Sequence, residues 1–198
     1  MLLYDSPVSG NCYKVRLLFA HLGLSYERRE MDVVDRSDRA EVLGHLNPHL
    51  RVPTLVLDDG RPLAESDAIL WYFADGTQYL PGDAYERAQV HQWLLFEQSS
   101  PMPNIAVMRF WLRWAPEKPG EAEMEPRRRA GYAALDTMES HLASREFFVG
   151  ARYSIADIAL YGYTHVAEEG SFSLDGYPAI GAWLERVRSQ PGHVPITA

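Results

Sequence analysis

The sequence predicts an α/β domain followed by an all-helical domain. Three observations carry that prediction. Residues 1–76 alternate strand and helix patterns at the spacing of βαβ units. Residues 77–84, reading TQYLPGDA, have the composition of a turn-forming linker. Residues 85–198 carry helical periodicity and no strand pattern.

Each element has its own justification. Leu2–Tyr4 reads as a strand. Cys12–Leu22 reads as a helix, because Val15, Leu18, Phe19 and Leu22 recur on one face and Gly23 stops it. Tyr26–Asp32 is a second strand, and the polar segment Asp35–Gly44 holds a short helix. Thr54–Leu57 and Pro62–Ala64 form a hairpin about Asp58-Asp59-Gly60, with glycine where positive φ is needed. Glu65-Ser66 opens the helix Ser66–Ala74, whose apolar face carries Ala68, Ile69, Tyr72 and Phe73. The order β-α-β-α-β-β-α resembles a thioredoxin-like domain. Beyond the linker, Tyr85–Trp114 is a long helical stretch with a bend expected at Pro101 and Pro103. Pro116–Gly120 breaks it. Glu121–Leu142 follows, with Tyr132, Leu135, Met138 and Leu142 at helical spacing. Ser154–Glu168 and Ile180–Arg188 complete the set. Ser154-Ile155-Ala156-Asp157 is a capping box, whose role is folding and not catalysis.

Composition excludes several classes of function. The chain has 198 residues and a formal net charge of −8, which argues against nucleic acid as a partner. Arg127-Arg128-Arg129 follows Glu121, Glu123 and Glu125 and reads as a solvated helix face. One cysteine, Cys12, leaves no intrachain disulfide and no multi-thiolate metal site. His21, His45, His91 and His165 lack metal-ligand spacing, so no metal is expected. No phosphate-binding glycine loop is present. No apolar run is long enough to span a bilayer, and Leu2-Leu3-Tyr4 reads as a strand where a secretory leader would stand. The expected location is the cytoplasm.

The densest chemistry lies in residues 46–73, LNPHLRVPTLVLDDGRPLAESDAILWYF. A cis bond at Val52-Pro53 is expected, turning the N–H and C=O of Val52 outward to pair with a passing peptide. A helix starting at Glu65-Ser66 offers unpaired N–H groups to an anion. Together they describe a slot for a small peptide that carries a carboxylate. The loop Ser6-Pro7-Val8-Ser9-Gly10-Asn11-Cys12 joins the first strand to the first helix. A helix N-terminus with hydroxyl and amide donors is a good place to hold a thiolate.

This combination resembles the glutathione site of the cytosolic glutathione S-transferases, over essentially the whole chain. The resemblance is to bacterial, serine-type members: theta-, zeta- and nu-like. It implies a thioredoxin-like domain followed by an all-helical domain, and glutathione as co-substrate. It implies that Ser9 donates a hydrogen bond to the glutathione sulfur, with Asn11 as second donor. It implies that Val52, held by Pro53, pairs with the cysteinyl backbone. Glu65 would accept the γ-glutamyl ammonium, and Ser66 would hold the γ-glutamyl carboxylate. Arg51 would face the glycine carboxylate, and Arg39 is a further basic contact. Cys12 is the rival for the thiol chemistry, since beta- and omega-like members use a cysteine near this loop. The alternative reading is a buried apolar thiol. Tyr4 sits about one residue out of register for a catalytic tyrosine and reads as structural.

For the helical domain, Trp93, Phe96, Ile105, Met108, Arg109, Phe110, Trp111 and Trp114 crowd one stretch. Met108, Arg109 and Trp111 are the residues picked for an acceptor pocket that takes a hydrophobic electrophile. The function implied is conjugation of glutathione to that electrophile, as in detoxification. Alternatives are a glutathione-dependent disulfide reductase, a zeta-like isomerase, or a non-catalytic interaction module. A homodimer is expected. Trp71, Tyr72 and Phe73 are consecutive, and one narrow core stripe cannot bury all three.

Overall fold

A computed structural model describes all residues, Met1–Ala198. It resolves into two units: residues 1–75 together with 191–198, and residues 76–190. The expected division placed 191–198 with the helices; the structure returns that tail to the first unit.

The first unit is a four-stranded sheet with helices. β1 (Leu2–Asp5), α1 (Gly10–Leu22), β2 (Glu27–Glu30), α2 (Arg39–Leu43), β3 (Thr54–Val56), β4 (Pro62–Ala64) and α3 (Ser66–Ala74) follow in the predicted order. The strand order is β2-β1-β3-β4. β1 and β2 are parallel, and the other pairs are antiparallel. Alternation sorts the side chains. Leu3 and Leu55, opposite each other, face Val15 and Phe19 of α1 and Ile69 of α3. Tyr4 faces the other way, with Met31 and Leu43. Tyr4 is buried in that cluster. β2 is shorter than the predicted Tyr26–Asp32, and its residues Glu27, Arg28, Arg29 and Glu30 are all exposed. Charges on an edge strand discourage pairing with other chains. Gly60 has φ 84 in the hairpin turn, and Gly23 closes α1 at φ 65, the left-handed region that other residues avoid.

The second unit contains α4 (Ala84–Ser99), α5 (Val107–Arg113), α6 (Glu121–Leu142), α7 (Ile155–Thr164) and α8 (Pro178–Arg188). A 3₁₀ turn, Ala167–Gly170, follows α7. The predicted bend at Pro101 and Pro103 is a π-helical turn, Met102–Ala106. Two prolines in three residues remove two amide donors, so the regular ladder cannot run through. Asn104 Nδ2 donates to the Ser100 carbonyl at 2.8 Å and satisfies one group that the break frees. Every residue of α7 is buried. Phe148 packs against Trp93 and Trp183, with ring centroids at 4.7 and 5.2 Å. No helix is long and apolar enough to cross a membrane.

Candidate active site

Strand register brings the candidate binding motifs to one end of the sheet. Tyr4 pairs with Thr54, and Thr54 pairs with Ala64. The loop after β1, the loop before β3 and the start of α3 after β4 all leave from that row. Ser9, Val52-Pro53 and Glu65-Ser66 sit on those three connections. Hence the three motifs share one edge although they are separated by more than 50 residues of chain.

Ser9 is the N-cap of α1, in extended backbone geometry, and is half-buried. Its Oγ accepts from the Cys12 N–H at 3.3 Å, and its own N–H donates to the Ser6 carbonyl at 3.1 Å. Capping uses an acceptor lone pair, so the hydroxyl proton remains for another partner. The structural and chemical readings of Ser9 are compatible. Asn11 is half-buried, and its Oδ1 lacks a hydrogen-bond partner, so its carboxamide does not close the turn that a purely structural role would need. Cys12 is fully buried, and desolvation pushes its thiol up to about 12. At neutral pH it is a small apolar group and not a thiolate.

The Val52-Pro53 bond is cis, as expected. No loop hydrogen bond uses Val52. The turn before it is knitted by side chains. Asn47, buried, donates through Nδ2 to the Arg51 carbonyl at 3.1 Å and to Thr54 Oγ1 at 3.0 Å. The Thr54 hydroxyl donates to the same carbonyl at 2.7 Å. No sequence motif announced the Asn47–Thr54 pair. Leu50 adopts φ 53, a strained value for leucine, and is held at both ends. Its N–H donates to the Asn47 carbonyl at 2.9 Å, and its own carbonyl accepts from Arg39 NH1 at 3.0 Å.

That contact gives Arg39 a partner within the chain. The side chain is buried, and its NH2 donates to the Asp32 carbonyl at 2.7 Å. Burial lowers its pKa, with Arg36 and Arg51 pushing in the same direction. Arg39 braces the loop that presents Val52. Arg51 is exposed at the rim. Glu65 is exposed with φ 68 and caps no backbone group of α3, so its carboxylate stays available. A non-glycine residue in this region costs roughly 1–3 kcal/mol, and such strain concentrates at functional sites. Ser66 is buried in the first turn of α3. Lys14, buried on α1, pairs with Asp67 at 3.3 Å and ties α1 to that turn.

The residues picked for the acceptor pocket are engaged in packing. Met108 is fully buried in the core of the helical unit. Arg109 is buried, donates to Glu169 at 2.9 Å, and lies over the Trp114 ring at 4.6 Å. Trp111 carries Arg127 over its ring at 4.9 Å. All these contacts lie inside the second unit. No group of His, Cys, Asp and Glu side chains is arranged to hold a metal.

Comparison with known proteins follows the same division. Residues 3–77 match the model of the glutathione S-transferase N-terminal domain, and residues 101–191 that of the C-terminal domain. A glutathione S-transferase structure from Pseudomonas fluorescens is 46% identical, covering 100% of this chain and 98% of that one, with TM-score 0.95. The disulfide-bond oxidoreductase YfcG of Escherichia coli is 28% identical, over 96% of this chain and 90% of its own. A Burkholderia graminis glutathione transferase, solved with two glutathione molecules bound per subunit, is 27% identical. It covers 96% of this chain and 84% of its own, with TM-score 0.83.

Proposed function

The chain belongs to the glutathione S-transferase family, and from that premise we infer a glutathione transferase that stabilises the glutathione thiolate and conjugates it to a hydrophobic electrophile. One observation carries the reading most directly. A helix-capping serine keeps its hydroxyl proton on the same sheet edge as Val52 and Glu65-Ser66. Val52 pairs with the peptide backbone, Glu65 takes the γ-glutamyl ammonium and Ser66 the carboxylate, and Arg51 faces the glycine carboxylate. Ser9 and Asn11 donate to the sulfur. The thiol proton leaves to solvent. The sulfur lone pair then forms a bond to an electrophilic carbon, whose leaving group departs with its electron pair. Arg39 braces the Val52 loop and does not touch the peptide.

The member is of serine type and bacterial. Burial of Cys12 supports the serine assignment, and the Pseudomonas structure at 46% identity supports the origin. A cytoplasmic location fits a lone free thiol. A second reading, glutathione-dependent disulfide reduction, draws on the likeness to the Escherichia coli oxidoreductase. In that case the same thiolate opens a disulfide. Turnover of an aryl halide and of a small disulfide, measured side by side, separates the two.

The test of the site is thiolate absorbance of bound glutathione against pH. Ser9→Ala is expected to raise the thiol pKa by about one to two units, since a hydrogen bond to a charged atom is worth roughly 1.5–3 kcal/mol. Retention on immobilised glutathione should persist. Cys12→Ala should titrate as wild type. An unchanged titration for Ser9→Ala, with a shift for Cys12→Ala, would reverse the assignment.

The assembly is a homodimer. Tyr72 on α3 is 51% exposed, and Tyr85 and Leu95 on α4 are 72% and 59% exposed. Large exposed apolar side chains on two elements favour a partner surface. Sedimentation equilibrium at micromolar concentration should give about twice the 22.5 kDa chain mass. A single species at the chain mass would refute the dimer.

A further inference from the structure

The tail of the first unit carries chemistry that the site does not absorb. Its carbonyls accept, one after another, from side chains of α1 and β2. His21 Nδ1 meets the Pro191 carbonyl at 2.9 Å. The Tyr13 hydroxyl donates to Val194 at 2.7 Å, and Arg16 NH2 donates to Ile196 at 2.6 Å. Arg28 NH1 donates to Ala198 at 2.9 Å. From Val194 onward every second carbonyl is taken, and the segment ends in a turn in which the Ala198 N–H donates to the Pro195 carbonyl at 3.0 Å.

Arg16 is the node. It is 2% exposed. NH1 donates to Asp5 Oδ1 at 2.5 Å and to the Ser6 carbonyl at 3.2 Å. NH2 donates to the Pro7 carbonyl at 3.3 Å and to Ile196. All four terminal N–H bonds are therefore used. Two of them grip the loop just before Ser9. The Ser6 carbonyl that Arg16 holds also accepts the Ser9 N–H. One atom thus links the guanidinium to the backbone of the serine.

We propose that Arg16 is a positioning residue for the Ser9 loop, and that Pro191–Ala198 is the strap that keeps it in place. The proposal rests on the reading of Ser9 as the sulfur donor. The guanidinium has a fixed planar fork and meets four acceptors only in one orientation. The tail supplies the fourth acceptor and closes the fork from outside. Without Ile196, one buried N–H loses its partner, and the fork is free to tilt away from Ser6 and Pro7. The hydroxyl of Ser9 then loses its aim. The charged and titratable groups around Arg16 are Asp5 on β1, Tyr26 just before β2, Arg28 on β2, Cys12 and Tyr13 on α1, and His193 on the tail.

Two variants test this: a chain ending at Val194, and full-length Arg16→Lys, which keeps the charge and loses the fork. Amide hydrogen exchange over residues 6–13 is expected to quicken at least tenfold in both, with α6 and α7 exchanging as in wild type. The ratio kcat/KM should fall about tenfold to a hundredfold, as for a small misplacement of a catalytic group. The loss should lie in kcat, with KM for glutathione nearly kept, and the pH profile should move toward alkaline values. If the shortened chain fails to fold, Arg16→Lys alone decides. Wild-type exchange over residues 6–13 in the folded variants overturns the strap. Ser9→Ala runs alongside. If Ser9→Ala shifts the pH profile while the strap variants match wild type, the strap fails and the Ser9 reading stands. If Ser9→Ala leaves the profile unchanged, the Ser9 reading fails, and exchange over residues 6–13 decides the strap.

Discussion

Asp157→Ala is expected to remove roughly 4 kcal/mol of stability, several times the effect of an ordinary cap deletion. The capping box alone accounts for the smaller part. Asp157 Oδ2 accepts from the Ser154 N–H at 3.0 Å and the Ser154 hydroxyl at 3.2 Å. Its other oxygen does work that no local pattern announces. Oδ1 accepts from the Phe148 N–H at 3.1 Å and from the Trp183 indole at 3.0 Å. The carboxyl thus joins the start of α7, the loop before it and α8. Burial pushes it up to about 6, against four donors that pull it down, so it is ionised at neutral pH and serves all four. Alanine leaves buried donors without acceptors, each costing about 1–3 kcal/mol before relaxation. For a chain of this size that is a fall in Tm on the order of 10 °C. Thermal and urea unfolding measure it. Activity per folded molecule should stay near normal. A loss under 1 kcal/mol would mean water replaces the carboxylate, and a large loss of turnover at wild-type stability would put Asp157 in the active site.

What was legible in the sequence is what is local. Ser9 before an amphipathic run, Ser154-x-x-Asp157, Gly60 in a turn and the proline after Val52 each carry their instruction within a few residues. The structure places them accordingly. Boundaries drifted where a pattern lacked a stop. The stretch Tyr85–Trp114 is α4, a π-helical turn and α5, because apolar periodicity continues through Pro101 and Pro103 while hydrogen bonding does not. What was not legible is long-range charge. Arg16 and Lys14 carry no local mark of burial, and Arg39 reads as a basic contact, since charged residues are rarely buried without partners. Their partners are Asp5, Asp67 and backbone carbonyls of Asp32 and Leu50. No periodicity encodes a pairing across 53 residues. The same limit hid the tail: residues 191–198 have no motif, and their contribution is a row of carbonyls that any residue supplies. For the acceptor pocket, aromatic crowding could not separate packing from lining, and Arg109 proved to be neutralised by Glu169.

Asp5→Ala is the second large expected effect, about 3–5 kcal/mol, the usual cost of breaking a buried ion pair from one side. Asp5 is fully buried at the end of β1. Arg16 NH1 lies 2.5 Å from one oxygen and Arg28 NH2 lies 2.6 Å from the other. Removing the carboxylate leaves two guanidinium charges facing each other. Arg28, partly exposed, can swing to water; Arg16 cannot, because four acceptors and the core enclose it. The cost therefore falls on Arg16. Adding Arg16→Met to Asp5→Ala removes the stranded charge and should recover part of the loss, since replacing a whole buried pair with apolar groups is often neutral. Recovery of stability should not bring recovery of turnover, because the double variant also lacks the fork that grips Ser6 and Pro7. Urea unfolding and kcat/KM measured on wild type, Asp5→Ala, Arg16→Met and the double variant separate the two consequences. Additive stability losses in the double variant would show that the pair is not coupled. Turnover restored along with stability would show that Asp5 and Arg16 hold up the fold and nothing more.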